Sequence, residues 1–330
     1  MKKIISLISM FLAINMLVGC GTDDKGKTSK EKMEKVTLML DWFPNTNHTG
    51  IYVAKEKGYF RELGLDVEIV QPGESIGVEQ VVASNKADFG IGYQEGITLA
   101  RSEGVPVVSV AAVIQHNTSA FASLDKSNIT NVKGFENKRY ATFGSPIEQA
   151  MLKEIMSKNK ADFSKVSLVQ SGASDFFKTM ERDADFMWVY YGWDIVAAKK
   201  NNIDVNYLML KDLDVNFDYY TPVIFTSETY LKDKKNTAKK FIEAVAKGYE
   251  YSITNPDESA EFLIKNAPEL DKEIVIESQK WLANQYKADA SRWGEQKVET
   301  WKRYADWLYN NKLINNNIEA DKAFTNALLP

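Results

Sequence analysis

The sequence predicts an α/β fold. Short apolar segments with β-branched residues alternate along most of the chain with amphipathic segments of helical period, as they do when strands and helices follow one another. From Val36 onward roughly 295 residues remain, enough for two domains. A short repeat, Ala87-Asp88-Phe89 and Ala184-Asp185-Phe186, begins two apolar strands that each close with a tyrosine. Two similar lobes would explain this repeat, and so would chance similarity over a few residues.

Eight strands are predicted, at residues 36–40, 66–69, 87–91, 107–114, 139–142, 166–168, 184–190 and 207–211. Helices are predicted between them, near residues 51–62, 76–84, 94–103, 147–157, 174–181 and 194–200. From residue 236 onward the chain is predicted to be almost wholly helical.

Local signals mark two helix starts. Ser145-Pro146-Ile147-Glu148 matches a capping box with proline at the first helical position, so Ser145 and Glu148 are each expected to bind a free main-chain N–H. Ser174 with Asp175 predicts the start of another helix.

Residues 1–19 match a bacterial lipoprotein signal peptide. Two lysines precede an apolar run over 4–18, and Leu-Val-Gly-Cys then matches the lipoprotein cleavage pattern, with Cys20 as the site of lipid attachment. The run is shorter than the roughly twenty residues of a spanning helix. An uncleaved N-terminal anchor is the alternative.

The polar residues 20–35 are predicted to be a flexible tether, because they carry no aromatic side chain and many charges. The protein body is therefore expected outside the cytoplasm, held at the cell membrane by lipid. Loss of the two signal-peptide lysines takes the formal charge from −4 to −6, a balance that does not suit nucleic acid. Cys20 is the single cysteine, which excludes an internal disulfide and a cysteine-based zinc site. Neither histidine has a partner at metal-ligand spacing, so no metal site is predicted.

The loop after the first predicted strand gives the strongest signal for a binding site. It contains Asp41, Trp42, Asn45, Asn47 and His48, directly before a helical pattern. In an open α/β sheet, ligands bind outside the carboxyl ends of the strands. Trp42 offers a flat face for stacking, and its polar neighbours offer directed hydrogen bonds.

Three segments resemble the NMT1/THI5-like superfamily of solute-binding proteins and pyrimidine-precursor enzymes. They are LDWFPNTNHTGIYVAKEKGYF at 40–60, KADFGIGYQE at 86–95 and YYGWD at 190–194. The first segment is quite specific, whereas KADFG occurs throughout the wider class. The resemblance covers nearly all of the chain after the signal.

The resemblance implies a type II periplasmic-binding fold, in which two α/β lobes close on a ligand by a hinge motion. One lobe is expected to hold residues 36–121 and 223–330, and the other residues 122–222. The two crossover strands between the lobes are expected near 119–123 and 220–225.

Together with the lipoprotein signal, the resemblance implies a receptor and not an enzyme. The expected protein is a monomeric solute-binding lipoprotein of an ABC importer, which works without a cofactor. It would capture a thiamine-precursor pyrimidine of the formylaminopyrimidine type and deliver it to the permease and its ATPase.

Two alternatives are weighed against this receptor. One is a receptor of the same fold for a sulfonate, a nitrate or a riboflavin-like solute, although anion receptors usually place an arginine or lysine in the cleft. The other is a pyrimidine-precursor synthase. Synthases of the superfamily use a lysine and a histidine in the region that corresponds to residues 90–98, and this chain has neither there.

For an aminopyrimidine ligand, Trp42 is expected to stack on the ring, and Asp41 and Asn45 to pair with ring nitrogens or an amino group. A core position for Trp42 and turn formation for Asp41 and Asn45 are the alternatives. His48 is expected either to bind the ligand or to cap the following helix. Tyr93 and Glu95 stand at a strand end, where a carboxylate accepts from an amino group. Glu95 is equally suited to the first turn of a helix.

In the second lobe, alternation places Trp188 and Tyr190 on one face of a strand and Tyr191 on the other, and the sequence leaves open which face meets the ligand. Gly144 and Ser145 precede a helix whose free N–H groups suit an acceptor. Tyr219, near a crossover, is expected to close over the ligand.

Several other residues are interpreted as structural. Glu148 is interpreted as a capping residue, and Asp194 as a possible cap of the next helix. The C-terminal tryptophans are interpreted as helix-packing residues without a ligand role, namely Trp281, Trp293, Trp301 and Trp307.

Overall fold

The computed structural model of the protein describes residues 33–73, 77–172 and 175–330. The predicted signal peptide, the lipid site at Cys20 and most of the predicted tether lie outside the described residues, as does Ser174. Of the tether residues that are described, Glu34 and Lys35 belong to the first strand. That strand pairs with the second along its whole length, so it begins two residues earlier than the sequence pattern predicts.

Across the described residues, ten strands form two five-stranded sheets. Their bounds are β1 (Glu34–Met39), β2 (Leu65–Val70), β3 (Phe89–Gly92), β4 (Val107–Ala112), β5 (Ser119–Leu124), β6 (Arg139–Thr142), β7 (Ser167–Gln170), β8 (Phe186–Tyr190), β9 (Val205–Met209) and β10 (Val223–Ser227). Each of the eight predicted strands overlaps an observed one, and β5 and β10 overlap the two segments expected as crossover strands.

The helices alternate with the strands up to β10 and then follow one another to the C-terminal region. Their bounds are α1 (Thr49–Glu56), α2 (Tyr59–Glu62), α3 (Val78–Ala83), α4 (Gln94–Ser102), α5 (Pro146–Lys158), α6 (Phe176–Arg182), α7 (Val196–Lys200), α8 (Leu210–Leu213), α9 (Glu228–Asp233), α10 (Lys235–Thr254), α11 (Pro256–Asn266), α12 (Lys272–Ala283) and α13 (Val298–Asn310). None of the helices in the described ranges is both long and apolar enough to cross a membrane.

The two sheets have the same plan. The first has the strand order β2-β1-β3-β10-β4 and the second the order β7-β6-β8-β5-β9. In each sheet the three leading strands are parallel, and the fourth runs antiparallel to both of its neighbours. The α/β architecture of two similar lobes is therefore confirmed.

The sequence repeat has a structural counterpart at the centre of each sheet. Asp88 precedes β3, and its Oδ2 accepts a hydrogen bond from the main-chain N–H of Thr37 in β1 at 2.8 Å. Asp185 precedes β8, and its Oδ2 accepts from the main-chain N–H of Arg139 in β6, also at 2.8 Å. The repeated aspartate thus joins the third strand to the second in both sheets.

The chain passes between the sheets twice, before β5 and before β10. The predicted crossovers at 119–123 and 220–225 fall largely on these two strands, because both enter antiparallel pairing with their neighbours as soon as they reach the sheet. The exact lobe boundaries, 36–121 with 223–330 and 122–222, stay a prediction.

Stacked phenylalanines mark the core of each lobe. Phe89 of β3 lies against Phe241 of α10 with ring centroids 4.1 Å apart, and Phe135 lies against Phe186 of β8 at 4.3 Å. Helix α13 belongs to both cores, since Trp301 packs in the first and Trp307 in the second.

Candidate functional site

A cavity of about 630 Å³ lies between the two sheets, within the range of roughly 300–1,000 Å³ that is usual for small-molecule sites. Its walls come from the loop after β1, the start of α4, the start of α5, the end of β8 and the second crossover. The carboxyl ends of parallel strands from both sheets therefore face the same space, as the fold rule for open α/β sheets requires.

The loop after β1 supplies the aromatic wall. The side chain of Trp42 is 54% exposed and meets Phe43 edge to face, with ring centroids 5.6 Å apart. Behind the loop, the hydroxyls of Tyr286 and Tyr249 donate to the carbonyl oxygens of Thr46 and Asn47, each at 2.6 Å. The loop is thus fixed from the protein side and presents an open indole face to the cavity.

Asp41 is held at the base of this loop by two side chains. The main-chain N–H of Asn45 donates to Nδ1 of His48 at 3.2 Å, so Nδ1 is the acceptor and Nε2 carries the proton. Nε2 then donates to Oδ1 of Asp41 at 2.7 Å, and the hydroxyl of Tyr93 donates to Oδ2 at 2.6 Å. Burial acts to raise the pKa of Asp41, but these hydrogen bonds outweigh it, and the pKa is lowered.

Glu95 lies in the first turn of α4 and faces the cavity. Burial raises the pKa of Glu95 to about 7, with the negative charge of Glu148 acting in the same direction, while the hydroxyls of Tyr304 and Tyr219 oppose the rise. The carboxyl group of Glu95 therefore changes charge near neutral pH.

Glu148 is a cavity residue and not the second half of a capping box. Ser145 caps α5 by accepting from the N–H of Ile147, as predicted, but Glu148 points away from the Ser145 N–H. Its carboxylate accepts from the hydroxyls of Tyr140 and Thr142 at 2.7 and 2.8 Å and from the N–H of Phe143. Glu148 accepts hydrogen bonds from these donors at the end of β6, and not from the N–H of Ser145, because they surround its carboxylate in a buried site.

One face of β8 lines the cavity and the other packs in the core of the second lobe. Trp188 and Tyr190 line the cavity, whereas Val189 and Tyr191 pack in the second lobe. A π-helical turn, Tyr191–Ile195, follows the strand, and turns of this kind are frequent at functional sites. Asp194 in that turn accepts from the N–H of Tyr190 at 3.0 Å and also lines the cavity, and burial raises its pKa to about 6.

Nine of the twelve ligand-site residues predicted from the sequence line the cavity. They are Asp41, Trp42, Asn45, Tyr93, Glu95, Ser145, Trp188, Tyr190 and Tyr219.

The other three lie outside the cavity lining. His48 is fully buried behind Asp41, because both of its ring nitrogens are occupied within the loop. Gly144 forms a turn with φ of +89°, and its N–H donates to Oγ1 of Thr142 at 2.9 Å. Tyr191 faces α12, where its ring stacks on Trp281.

Other cavity residues were missed or interpreted differently. Phe43 and Phe143 are exposed at the edges of the cavity, and Trp193 lines it from the π-helical turn. Phe43 was signalled by its place in the WFPN segment. Leu282 of α12 lines the cavity although nothing local in the sequence marks it.

The charge of the lining is one-sided. Four carboxyl groups face the cavity, and none of the described residues that line it is a lysine, arginine or histidine. The four are Asp41, Glu95, Glu148 and Asp194. Such a lining favours a ligand that donates hydrogen bonds or carries positive charge, because an anion would meet only like charge. In the described ranges, no group of three or more His, Cys, Asp or Glu side chains is placed to hold a metal ion.

Two lobes of like topology, with a ligand-sized cavity between their strand ends, define the fold class of the periplasmic solute-binding proteins. The aliphatic sulphonate-binding protein SsuA of Escherichia coli has this fold: it aligns with a TM-score of 0.68 over 88% of this chain and 91% of that chain. The sequence identity is 14%, so the likeness establishes the fold alone.

The chain belongs to the NMT1/THI5 like family, whose profile matches residues 45–259. A formylaminopyrimidine-binding protein of Halalkalibacterium halodurans is 30% identical over 98% of both chains. A 4-amino-5-hydroxymethyl-2-methylpyrimidine phosphate synthase of Saccharomyces cerevisiae, THI11, is 24% identical over 73% of this chain and 74% of its own. The family thus contains both binding proteins and enzymes, and the relative that matches over 98% of this chain is a binding protein.

Proposed function

We propose that this protein is the receptor of an ABC importer that captures a thiamine-precursor pyrimidine, of the formylaminopyrimidine type, and releases it chemically unchanged. The observation that carries the proposal is the combination of the exposed indole of Trp42 with buried carboxylates in one cavity. A flat ring stacks on the indole, and its amino group donates to a carboxylate.

The two carboxylates whose oxygens both accept hydrogen bonds from side chains suit this role best. Asp41 and Glu148 are each held by side-chain donors, so neither has to reorganise when a ligand arrives. Asp41 comes from the first lobe and Glu148 from the second, so a ring between them is bound from both sides. The full-length similarity to a formylaminopyrimidine-binding protein supports the same ligand class.

The cellular setting belongs to the proposal as well. Lipid on Cys20 would hold the monomer at the outer side of the cell membrane, next to the permease and its ATPase. The tether at 20–35 would give the body reach toward the permease.

A sulfonate or nitrate receptor is disfavoured by the lining, which offers carboxylates where an anion needs a cation. A riboflavin receptor is a real competitor, because the riboflavin-binding protein RibY of Chloroflexus aurantiacus is 23% identical over 90% of this chain. A synthase is disfavoured by the sequence of residues 90–98, which contains neither lysine nor histidine.

Isothermal titration tests the proposal. Protein freed of ligand by unfolding and refolding is titrated with formylaminopyrimidine, thiamine, riboflavin and an alkylsulfonate, and the ligand is recovered for mass spectrometry. We expect the pyrimidine to bind most tightly and to be recovered with its mass unchanged. Tighter binding of riboflavin or the sulfonate, or conversion of the pyrimidine, would contradict the proposal.

Variants of Trp42 link the binding to the cavity. Trp42→Ala removes the stacking surface and is expected to weaken binding about 5- to 150-fold, which corresponds to about 1–3 kcal/mol. Trp42→Phe keeps an aromatic face and is expected to retain most of the affinity. Tyr309→Ala, at an exposed aromatic residue on α13 away from the cavity, is the matched control and should bind as the wild type does.

A further inference from the structure

Helix α12 of the first lobe packs directly on the π-helical turn of the second. The ring of Trp281 in α12 stacks on the ring of Tyr191, with centroids 4.3 Å apart and planes inclined by 21°. Lys199 donates to the hydroxyl of Tyr191 at 2.5 Å, and its Nζ lies 4.9 Å from the centroid of that ring. The stack therefore joins the lobes through a pair of large, mostly buried aromatic surfaces.

A chain of buried hydroxyl groups runs beside the stack. The hydroxyl of Ser278 in α12 donates to the carbonyl oxygen of Gly192 in the turn. Since that proton is used, the hydroxyl of Thr46 must donate to Ser278, and the two oxygens are 2.6 Å apart. Ser278 thus links the turn of the second lobe to the cavity loop of the first.

Gly192 lets the helix approach the turn closely. A Cβ at this position would lie 3.2 Å from Cγ of Leu282, tighter than most real contacts. Both Gly192 and Leu282 line the cavity. At the exposed end of the interface, Lys200 pairs with Asp271 at 2.8 Å, and a surface pair of this kind adds little.

We propose that α12 is a clasp that holds the lobes closed, with Trp281 and Ser278 as positioning residues for ligand binding. The residues of this turn contact both α12 and the cavity: Tyr191 stacks on α12, Trp193 and Asp194 line the cavity, and Gly192 does both. A ligand that orders the turn from the cavity side therefore also orders the surface that the clasp grips. The inference rests on the proposed binding of a ligand between the lobes, and not on which ligand it is.

The clasp acts on the closed state, so it is expected to slow ligand release more than to speed capture. Loss of an aromatic stack of this kind is expected to raise the dissociation rate about tenfold, with an association rate within about threefold of the wild type. Trp281→Phe keeps a stacking ring and should restore a dissociation rate close to that of the wild type.

The test combines stopped-flow kinetics with a distance measurement between the lobes. The full chain carries Cys20→Ser and spin labels at Glu62→Cys and Ser157→Cys, two exposed positions on α2 and α5. The kinetic ligand is formylaminopyrimidine. Trp281→Ala should release it about tenfold faster and show a larger population at the open distance. Glu277→Ala, an exposed position on the same helix that pairs with Lys280 within α12, should match the wild type.

A dissociation rate of Trp281→Ala within twofold of the wild type, with the same distance distribution, would overturn the clasp. If Trp281→Ala does not fold, Ser278→Ala decides in the same way, since it removes two hydrogen bonds and little volume. If no ligand binds, the proposed function fails, and the distances in ligand-free protein decide alone. Equal distributions in wild type and Trp281→Ala then overturn the clasp, and a more open variant supports it.

Discussion

Nε2 of His48 lies 2.7 Å from Oδ1 of Asp41, at the base of the cavity. The histidine is fully buried, and the N–H of Asn45 occupies its other ring nitrogen, so its donor has a fixed direction. Asp41 is consequently a preformed acceptor whose orientation is set before any ligand arrives. The role of His48 is to position this carboxylate from behind.

Replacement of Asp41 tests the contribution of that acceptor. Asp41→Asn keeps the shape of the side chain but removes its charge, and hydrogen bonds to charged groups are worth about 1.5–3 kcal/mol. We therefore expect pyrimidine affinity to fall about tenfold to a hundredfold in isothermal titration. Tyr93→Phe is the matched control, because it removes one of the two hydrogen bonds to Asp41 and leaves the charge, so its loss should be smaller. Equal affinity of Asp41→Asn and wild type would show that Asp41 does not contact the ligand.

Glu95 predicts a pH dependence of stability. Its pKa is raised from 4.5 to about 7, so between these pH values the folded protein holds a proton that the unfolded chain releases. Stability from this group is therefore lost as the pH rises from about 4.5 to about 7. Glu95→Gln removes this loss. We therefore expect the free energy of unfolding of Glu95→Gln, relative to that of the wild type, to be higher at pH 8 than at pH 5 by up to about 3 kcal/mol. Urea unfolding at both pH values measures the difference, and a constant difference would contradict the assignment.

His116, near the second crossover, also predicts a stability that falls as the pH rises. Its Nδ1 lies 2.7 Å from Asp218 of the second crossover, and its Nε2 lies 3.0 Å from Asp289. The hydrogen bond with Asp218 raises the pKa of His116 above 6.5, against the effect of burial, and Asp289 adds to the rise. A raised histidine pKa gives stability that is fully present below pH 6.5 and lost as the pH rises through the folded value. The advantage of wild type over His116→Asn should therefore be larger at pH 5.5 than at pH 8.5. A larger advantage at pH 8.5 would refute this account of the crossover.

The close contact of α1 and α10 predicts that replacing Gly248 by a larger residue strongly destabilises the protein. A Cβ at Gly248 would lie 2.0 Å from the carbonyl oxygen of Gly50, so Gly248→Ala must push the helices apart. We expect the free energy of unfolding to fall by about 1–3 kcal/mol or more. Gly77→Ala is the control, because the nearest atom to its Cβ would be 3.8 Å away. Thermal unfolding of both variants measures the change in the midpoint. An unchanged midpoint for Gly248→Ala would mean that α1 and α10 do not pack this closely.

Local patterns predicted the fold and the first half of the cavity. The α/β alternation is visible in short windows, and the cavity loop stands out because Trp42 and Asp41 follow a strand directly. β5 and β10 were expected only from the resemblance, as the two crossover strands, and not from a local pattern, because their pairing partners lie far away in sequence.

The rest of the site depends on contacts that sequence spacing does not reveal. The sequence around Glu148 matches a capping box. In the folded protein its carboxylate accepts hydrogen bonds from Tyr140 and Thr142, and the sequence spacing does not reveal these contacts. Alternation put Trp188 and Tyr191 on opposite faces but could not say which face the other lobe covers. The stack of Tyr191 on Trp281 joins residues ninety positions apart, so the sequence alone indicates only a packing role for Trp281.

The most direct measurement is a crystal structure of the protein with formylaminopyrimidine. We expect electron density for an intact, noncovalently bound pyrimidine between the lobes, with its ring on the indole of Trp42 and a ring donor within hydrogen-bond distance of Asp41 or Glu148. Density for the ligand outside this cavity, or for a covalently altered product within it, would refute the proposed function.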